Sequence, residues 1–377
     1  MHPAIAKGAD AADTGSTAFS TIATIDLDAI VSNYRFLAAT APTARTAAVL
    51  KADAYGLGLA PVARALLDAG CTCFFVAQFS EAAALRAVAP SAQIYVLNGI
   101  AGSPVRDFTN LRLRPVLNSL SDIARWRMAS APRPGAILNV DTGMNRLGLS
   151  AADVALLQSE PERLEGVELD FLMSHLACAD QPEHPMNAAQ LCRFQSLREA
   201  FAHLPATLSN TAGCLLDAAY HFDLTRVGIG LFGGNPRLEG ENPFRNVLTL
   251  ETPILQLREI DSAECVGYGA TYQATTPRRI AITGLGYADG CLRALGNFAK
   301  GWIAGHDIRM VGQVSMDLTA FDVTGIPAEV CREGSMIELI GPNAPIDRLA
   351  RSANTISYEI LTRLGNRIAR NYISSRC

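Results

Sequence analysis

Between about residues 28 and 232 the chain alternates two textures. A short apolar run ends in a small polar or glycine-rich turn, and a stretch of helical periodicity follows. The apolar runs are "AAVLK" (47–51), "CFFVA" (73–77), "IYVLN" (94–98), "LRPVL" (113–117), "AILNV" (136–140), "DFLMS" (170–174), "ATLSN" (206–210) and "RVGIGLF" (226–232). Between them lie helical patterns such as "SEAAALRAVA", "SLSDIARWRMA", "SAADVALLQSE" and "AAQLCRFQSLREAFAHL". "SAAD" has the spacing of a capping box, in which a serine and an acid three residues on satisfy each other's backbone N–H groups. Strands alternating with helices predict βαβ units and a parallel sheet. Eight such units suggest closure into a (β/α)8 barrel, with a doubly wound open sheet as the alternative.

After about residue 245 the pattern changes. "VLTLETPILQLREI", "RRIAITGLGYADG", "WIAGHDIRMVGQVSMDLTAFDV" and "GSMIELIG" read as short strands joined by Gly, Asp and Pro turns. Helical signal returns only in "TISYEILTRLGNRIARNYI". The expected organisation is therefore α/β: a flexible tail over 1–20, a TIM-like barrel over 28–245, and a mainly β domain over 246–377. The run at 21–26 is expected to add one strand to the second domain.

Composition narrows the classes. Of 377 residues, 49% are apolar and 18% charged, so most of the chain is available for packed core. A net charge of -4 without a basic cluster gives no footprint for nucleic acid. No apolar run reaches the length of a membrane-spanning helix, and the first residues carry no signal-peptide pattern. The nine cysteines are scattered and lack metal-site spacing, so no metal is expected. Free thiols in a reducing cytoplasm fit them better than a disulfide framework.

In a (β/α)8 barrel, chemistry gathers at the C-terminal ends of the strands. There the sequence offers Lys51 with Tyr55, Asn139 with Asp141 and Arg146, His175, Asn210 with Thr211, and Arg226 before "VGIG". A lysine at a strand end often snorkels to solvent, a histidine is often a satisfied core group, and "NTAG" is often a plain helix cap. Gathered at one mouth, these residues suit an anion, such as a phosphate bound beside an imine-forming lysine.

The motifs "VLKADAYGLG", "DTGMNRLG", "MSHLACAD", "SNTAG", "TRVGIGLFG", "VGYGATY", "GYADG" and "GQVSMD", in this order, resemble those of the alanine racemase family. The resemblance implies a homodimeric isomerase that interconverts L- and D-alanine with pyridoxal 5'-phosphate (PLP). D-alanine is a peptidoglycan precursor; the resemblance leaves supply or breakdown open. It implies that Lys51 binds the cofactor and serves as the base for the D-enantiomer. Tyr268, reaching in from the partner subunit, would serve the L-enantiomer. A phenol ordinarily titrates near 10, so that role needs positive charge nearby.

By the same resemblance Arg226 faces the pyridine nitrogen, His175 supports it, and Tyr55, Asn210, Thr211, Gly228, Ile229 and Tyr358 hold the phosphate. Arg146, with the partner's Met316 and Asp317, would bind substrate. Where the family commonly has a lysine that becomes carbamylated, this chain has Asn139. A bound anion such as chloride, or the Asn139 amide itself, is expected to take over beside Arg146. Three rival readings remain, one of them a broad-specificity racemase of the periplasm, against which the missing signal-peptide pattern weighs. A fold-related decarboxylase of basic amino acids would place a carboxylate where Arg226 stands. A non-catalytic PLP-binding protein would not need a second domain carrying Tyr268.

Overall fold

The computed structural model describes residues 20–100, 102–129, 132–237 and 240–375. The tail expected over 1–20 falls, up to residue 19, outside them. The strands of the first half are β1 (Ile22–Asp26), β2 (Arg45–Val49), β3 (Cys73–Val76), β4 (Gln93–Val96), β5 (Arg114–Leu117), β6 (Ala136–Asn139), β7 (Leu169–Met173), β8 (Ala206–Thr207) and β9 (Leu224–Val227). β2 to β9 form one parallel sheet in sequential order, with β9 returning to β2 through Arg45–Leu224 and Ala47–Arg226 pairs. Backbone bonds from Asp223 N to Ala206 O and from Arg226 N to Ser209 O join β8 to β9. The sheet is therefore a closed (β/α)8 barrel. Its strands are buried almost throughout, because helices cover one face and barrel-filling side chains the other.

The helices form where the apolar periodicity places them. Ser150 and Asp153 cap the helix Ala151–Ser159 reciprocally, as the "SAAD" spacing predicts. The "RVGIGLF" run departs from the predicted strand. β9 stops at Val227, and Ile229–Phe232 is a 3-10 turn. There Gly230 lies against Phe244 and Thr211, where a Cβ would come within 2.6–2.8 Å of both side chains. Glycine lets the chain turn inward over the barrel mouth.

The second half contributes β10 (Leu248–Ile260), β11 (Cys265–Val266), β12 (Tyr272–Gln273), β13 (Arg278–Thr283), β14 (Lys300–Ile303), β15 (His306–Met310), β16 (Thr319–Asp322), β17 (Met336–Ile340) and β18 (Ala369–Ile373). The order β13-β16-β15-β14-β17-β10 closes on itself because the long β10 also pairs with β13. Register shifts at Leu250/Glu251 and Ile254/Gln256 let β10 bend between its neighbours. β1 pairs antiparallel to β10, and β18 pairs parallel to β1.

β18 corrects the helical reading of "TISYEILTRLGNRIARNYI". Only Ser357–Thr362 is α-helical; the segment then extends and joins β1. Its partner lies almost the whole chain away, so no local pattern announces the pairing. One hydrophobic cluster runs from the barrel into the second domain, through residues such as Leu231, Val247, Leu248 and Leu361. Buried Asn33, on the helix Leu27–Thr40, donates to Leu231 O and Arg245 O and accepts from Arg245 N. That amide pins the first helix to the turn after β9.

Candidate active site

Lys51 follows β2 but does not end it. The strand stops at Val49, and Lys51 opens a tight turn over Lys51–Tyr55. Ala52, Asp53, Ala54 and Tyr55 all have φ between 53° and 57°, so the turn is left-handed. For L-residues this costs about 1–2 kcal/mol each. Outside contacts hold it. Ala52 N donates to Glu81 Oε1 at 2.6 Å, and Leu59 N to Asp53 Oδ1 at 2.7 Å. From the second domain, Arg370 Nε donates to Gly56 O and Tyr372 Oη to Leu57 O. Leu361 O packs where a Cβ on Gly56 would sit.

The same pocket is lined by Lys51, Tyr55, Asn139, Asp141, Arg146, His175, Asn210, Thr211, Arg226, Gly228, Ile229 and Tyr358. All the barrel candidates therefore meet at one mouth. Lys51 is not sealed in, as a buried strand end implies; much of its surface faces the open pocket. Its amine still sits among packed walls. Partial desolvation lowers its pKa, Arg146 lowers it further, and Glu81 opposes them.

Arg226 is 3% exposed and has no acidic partner among the described residues. Its guanidinium donates to Thr207 Oγ1, to Ser174 O at 2.7 Å, to Leu208 O at 3.1 Å and to His175 Nδ1 at 3.3 Å. No acceptor for its Nε–H occurs among the described residues. Burial pushes its pKa down to about 9, which still leaves it protonated at neutral pH. Arg226 can only donate, so His175 Nδ1 accepts from it; Nε2 lies 3.5 Å from Asn210 Nδ2. Burial and the charges of Arg226, Arg146 and Lys51 hold His175 near about 3.

The phosphate-sized corner is built from Tyr55, Thr211, Gly228 and Ile229. Gly228 N donates to Thr211 Oγ1 at 2.8 Å, leaving that hydroxyl its own proton. A Cβ on Gly228 would lie 2.3 Å from Tyr55 Oη, so only glycine admits the phenol there. Ile229 opens the 3-10 turn, where a backbone N–H has no partner inside the turn. Burial raises both Tyr55 and Tyr358, the latter to about 12 with help from Asp180, so both remain neutral donors.

The "DTGMNRLG" loop carries Arg146. Asp141 Oδ1 accepts from Gly143 N, Met144 N and Asn145 N, curling the loop over β6. Asn139 Nδ2 donates to Asn118 Oδ1 at 2.8 Å. Arg146 has no hydrogen-bond or ion-pair partner among the described residues.

Three candidates lie elsewhere. Tyr268 is 73% exposed and Met316 55% exposed, with Asp317 beside it, on the second domain. None of them lines the Lys51 pocket of its own chain. Tyr268 and the exposed Leu318 line one shallow hollow, and the exposed Tyr287 lies beside the Ser315–Met316 backbone. Sequence reasoning passed over Ser174, Thr207, Asn118, Gln190 and Glu81. Gln190, fully buried, donates to His175 O and Thr142 Oγ1 and accepts from Ala177 N. The readable signal for Glu81 was its helix-capping position; its second bond, to Ala52, links residues 29 apart.

Fold and site together define the class: a two-domain barrel enzyme of the pyridoxal-phosphate type. Comparison with known proteins agrees. Residues 25–236 match the N-terminal domain of alanine racemase and residues 247–372 its C-terminal domain. An alanine racemase of Rhodospirillum rubrum is 47% identical over 355 residues, covering 93% of this chain and 95% of the relative. The catabolic alanine racemase of Agrobacterium fabrum is 43% identical, covering 93% and 91%. The crystal structure of the Bartonella henselae alanine racemase with covalently bound pyridoxal phosphate superposes with a TM-score of 0.90 at 38% identity, covering 94% and 99%. The chain belongs to the alanine racemase family.

A pH dependence follows from His175. The unfolded chain protonates this imidazole near 6.5 and the folded one only near about 3. Between those values the unfolded state binds more protons, so stability falls as pH falls from about 6.5 toward about 3. Urea midpoints measured from pH 7.5 to 4.5 are expected to drop more steeply for the parent chain than for His175→Asn. Equal slopes would contradict the buried neutral imidazole.

Proposed function

We propose that this chain interconverts L- and D-alanine with PLP, by proton exchange at Cα between Lys51 on one face and Tyr268 of the partner subunit on the other. The observation that carries the reading is one pocket joining a recessed lysine to a buried arginine without an acid. The residues fit the cofactor. A guanidinium with a free Nε–H suits a ring nitrogen, and the Gly228 cradle with Tyr55, Thr211 and Tyr358 suits a phosphate. When bound, PLP supplies a conjugated ring that accepts the electrons released when Cα loses its proton.

The chain's residues divide the remaining tasks. Lys51 holds the cofactor through Nζ, and the free amine moves the proton on its own face. Its lowered pKa keeps more of the amine neutral near pH 7. Arg226 would donate to the ring nitrogen of a bound cofactor without surrendering a proton, which would keep the ring a moderate electron sink and disfavour side reactions. The decarboxylase reading would put a carboxylate there, and Arg226 argues against it. Tyr55, Asn210, Thr211, Ile229 and Tyr358 anchor the phosphate, with Gly228 giving room. Arg146 binds the substrate carboxylate.

Tyr268, Met316 and Asp317 stand exposed on the second domain, outside the Lys51 pocket of their own chain, which supports a homodimer in which each copy completes the other's pocket. A carrier would have no use for that surface. The eight described cysteines are free thiols, in keeping with a cytoplasmic enzyme. No helix among the described residues is long and apolar enough to cross a membrane. Beside Arg146, the Asn139 amide is engaged with Asn118. That favours an anion such as chloride, rather than the amide alone, as the group that steadies the arginine.

Lys51→Ala is expected to abolish the visible absorbance of the bound cofactor and turnover in both directions; retention of both would overturn the reading. Tyr268→Ala is expected to slow deuterium exchange at Cα of L-alanine far more than of D-alanine, and equal slowing would contradict the two-face scheme. In halide-free buffer KM for alanine should rise several-fold and recover with added chloride, whereas indifference to halide would remove the anion from the site.

A further inference from the structure

The geometry points to Glu81 as a positioning residue for Lys51, holding the strained turn that aims the amine. This rests on the catalytic reading of Lys51 and goes beyond it. The left-handed turn cannot be sustained by its own sequence, since Ala, Asp, Ala and Tyr each disfavour that conformation. The turn therefore needs partners that over-determine it. Asp53 and the second-domain side chains Arg370 and Tyr372 grip its far end, at Gly56 to Leu59. At the lysine end, the side-chain hydrogen bond from outside the turn is that of Glu81, to Ala52 N at 2.6 Å.

The other oxygen of that carboxylate is equally engaged. Glu81 Oε2 accepts from Ala77 N at 2.8 Å and Gln78 N at 3.0 Å, at the C-terminal end of β3. One rigid carboxylate thus joins the residue after Lys51 to the neighbouring barrel strand. Without it, Ala52 could relax toward a right-handed or extended conformation, and the Cα of Lys51 would rotate with it. The charge has a second consequence. Lys51 faces Arg146 from the loop after β6, His175 after β7, Arg226 on β9, Tyr55 of its own turn and Tyr358 of the helix Ser357–Thr362; on its other side lie Glu359 and Arg363, paired with each other at 3.0 Å. Asp141 also lines the pocket, but its carboxylate is occupied by three loop N–H groups. Glu81 is the group that acts on the amine against Arg146.

The test uses the PLP-loaded enzyme with Glu81→Gln, Glu81→Ala and, as control, Lys51→Ala. Glutamine keeps one acceptor and the side-chain length but loses the charge and the second acceptor. Expected losses in kcat are about tenfold for Gln and about a hundredfold for Ala, with KM for alanine within about twofold. The acid limb of the kcat profile, which reports the amine once substrate has displaced it, should move to lower pH in Glu81→Gln, because a negative charge that favours the protonated lysine is gone. Wild-type kcat and an unmoved acid limb in a folded Glu81→Gln would overturn the inference, provided Lys51→Ala is inactive. So would a kcat loss that disappears on cooling in step with the thermal midpoint, since that marks simple destabilisation. An active Lys51→Ala would instead overturn the catalytic reading itself. If Glu81→Ala fails to fold, Glu81→Gln decides.

Discussion

The left-handed turn after Lys51 is the constraint on which the rest of the site depends. Four residues at about 1–2 kcal/mol each amount to roughly 4–8 kcal/mol of local strain. Whole domains are stable by only about 5–15 kcal/mol. Such a turn survives only where tertiary contacts outweigh it, and here both domains contribute. Glu81 fastens it to the end of β3, while Leu361 ahead of β18 and Arg370 and Tyr372 within β18 press on it from the second domain. The reactive lysine is thus held at the seam between the barrel and the second domain. Its aim is a property of the whole chain, not of β2.

Electrostatics then follow from that placement. Lys51, Arg146 and Arg226 converge on one mouth, and none of them has an ion-pair partner among the described residues. Three cations at one mouth favour an anionic ligand. Partial burial, and then the charge of Arg146, lower the pKa of the lysine, and the histidine beside them stays neutral. Burial lowers Arg226 as well but leaves it protonated at neutral pH, and its N–H groups are met by Thr207, Ser174, Leu208 and His175. Those carbonyls and that hydroxyl do for Arg226 what an acid would do elsewhere. They leave its Nε–H without an acceptor among the described residues.

Much of this was legible in the sequence. The eight apolar runs marked the barrel strands to within a few residues, because strands buried on both faces must be apolar throughout. "SAAD" marked a capped helix, since that cap is made by residues three apart. Lys51, Tyr55, Arg146, His175, Thr211 and Arg226 could be placed at strand ends, and they do meet in one pocket. Three features escaped. "ADAY" has the composition of a right-handed helix, so its left-handed turn gave no local sign. "ARNYI" has helical neighbours, yet pairs with β1 some 350 positions earlier. Glu81 looked like an ordinary helix cap.

Those misses share a cause. Periodicity, capping and glycine placement are settled by energies between residues a few positions apart, and the sequence by itself determined them: the barrel, its helices and the identity of the polar groups at its mouth. The handedness of the turn at Lys51, the pairing of β18, the solitary charge of Arg226 and the exposure of Tyr268 and Met316 were decided only in the tertiary structure. Each depends on contacts between distant segments, whose energies outweigh local preference only once the whole chain has folded.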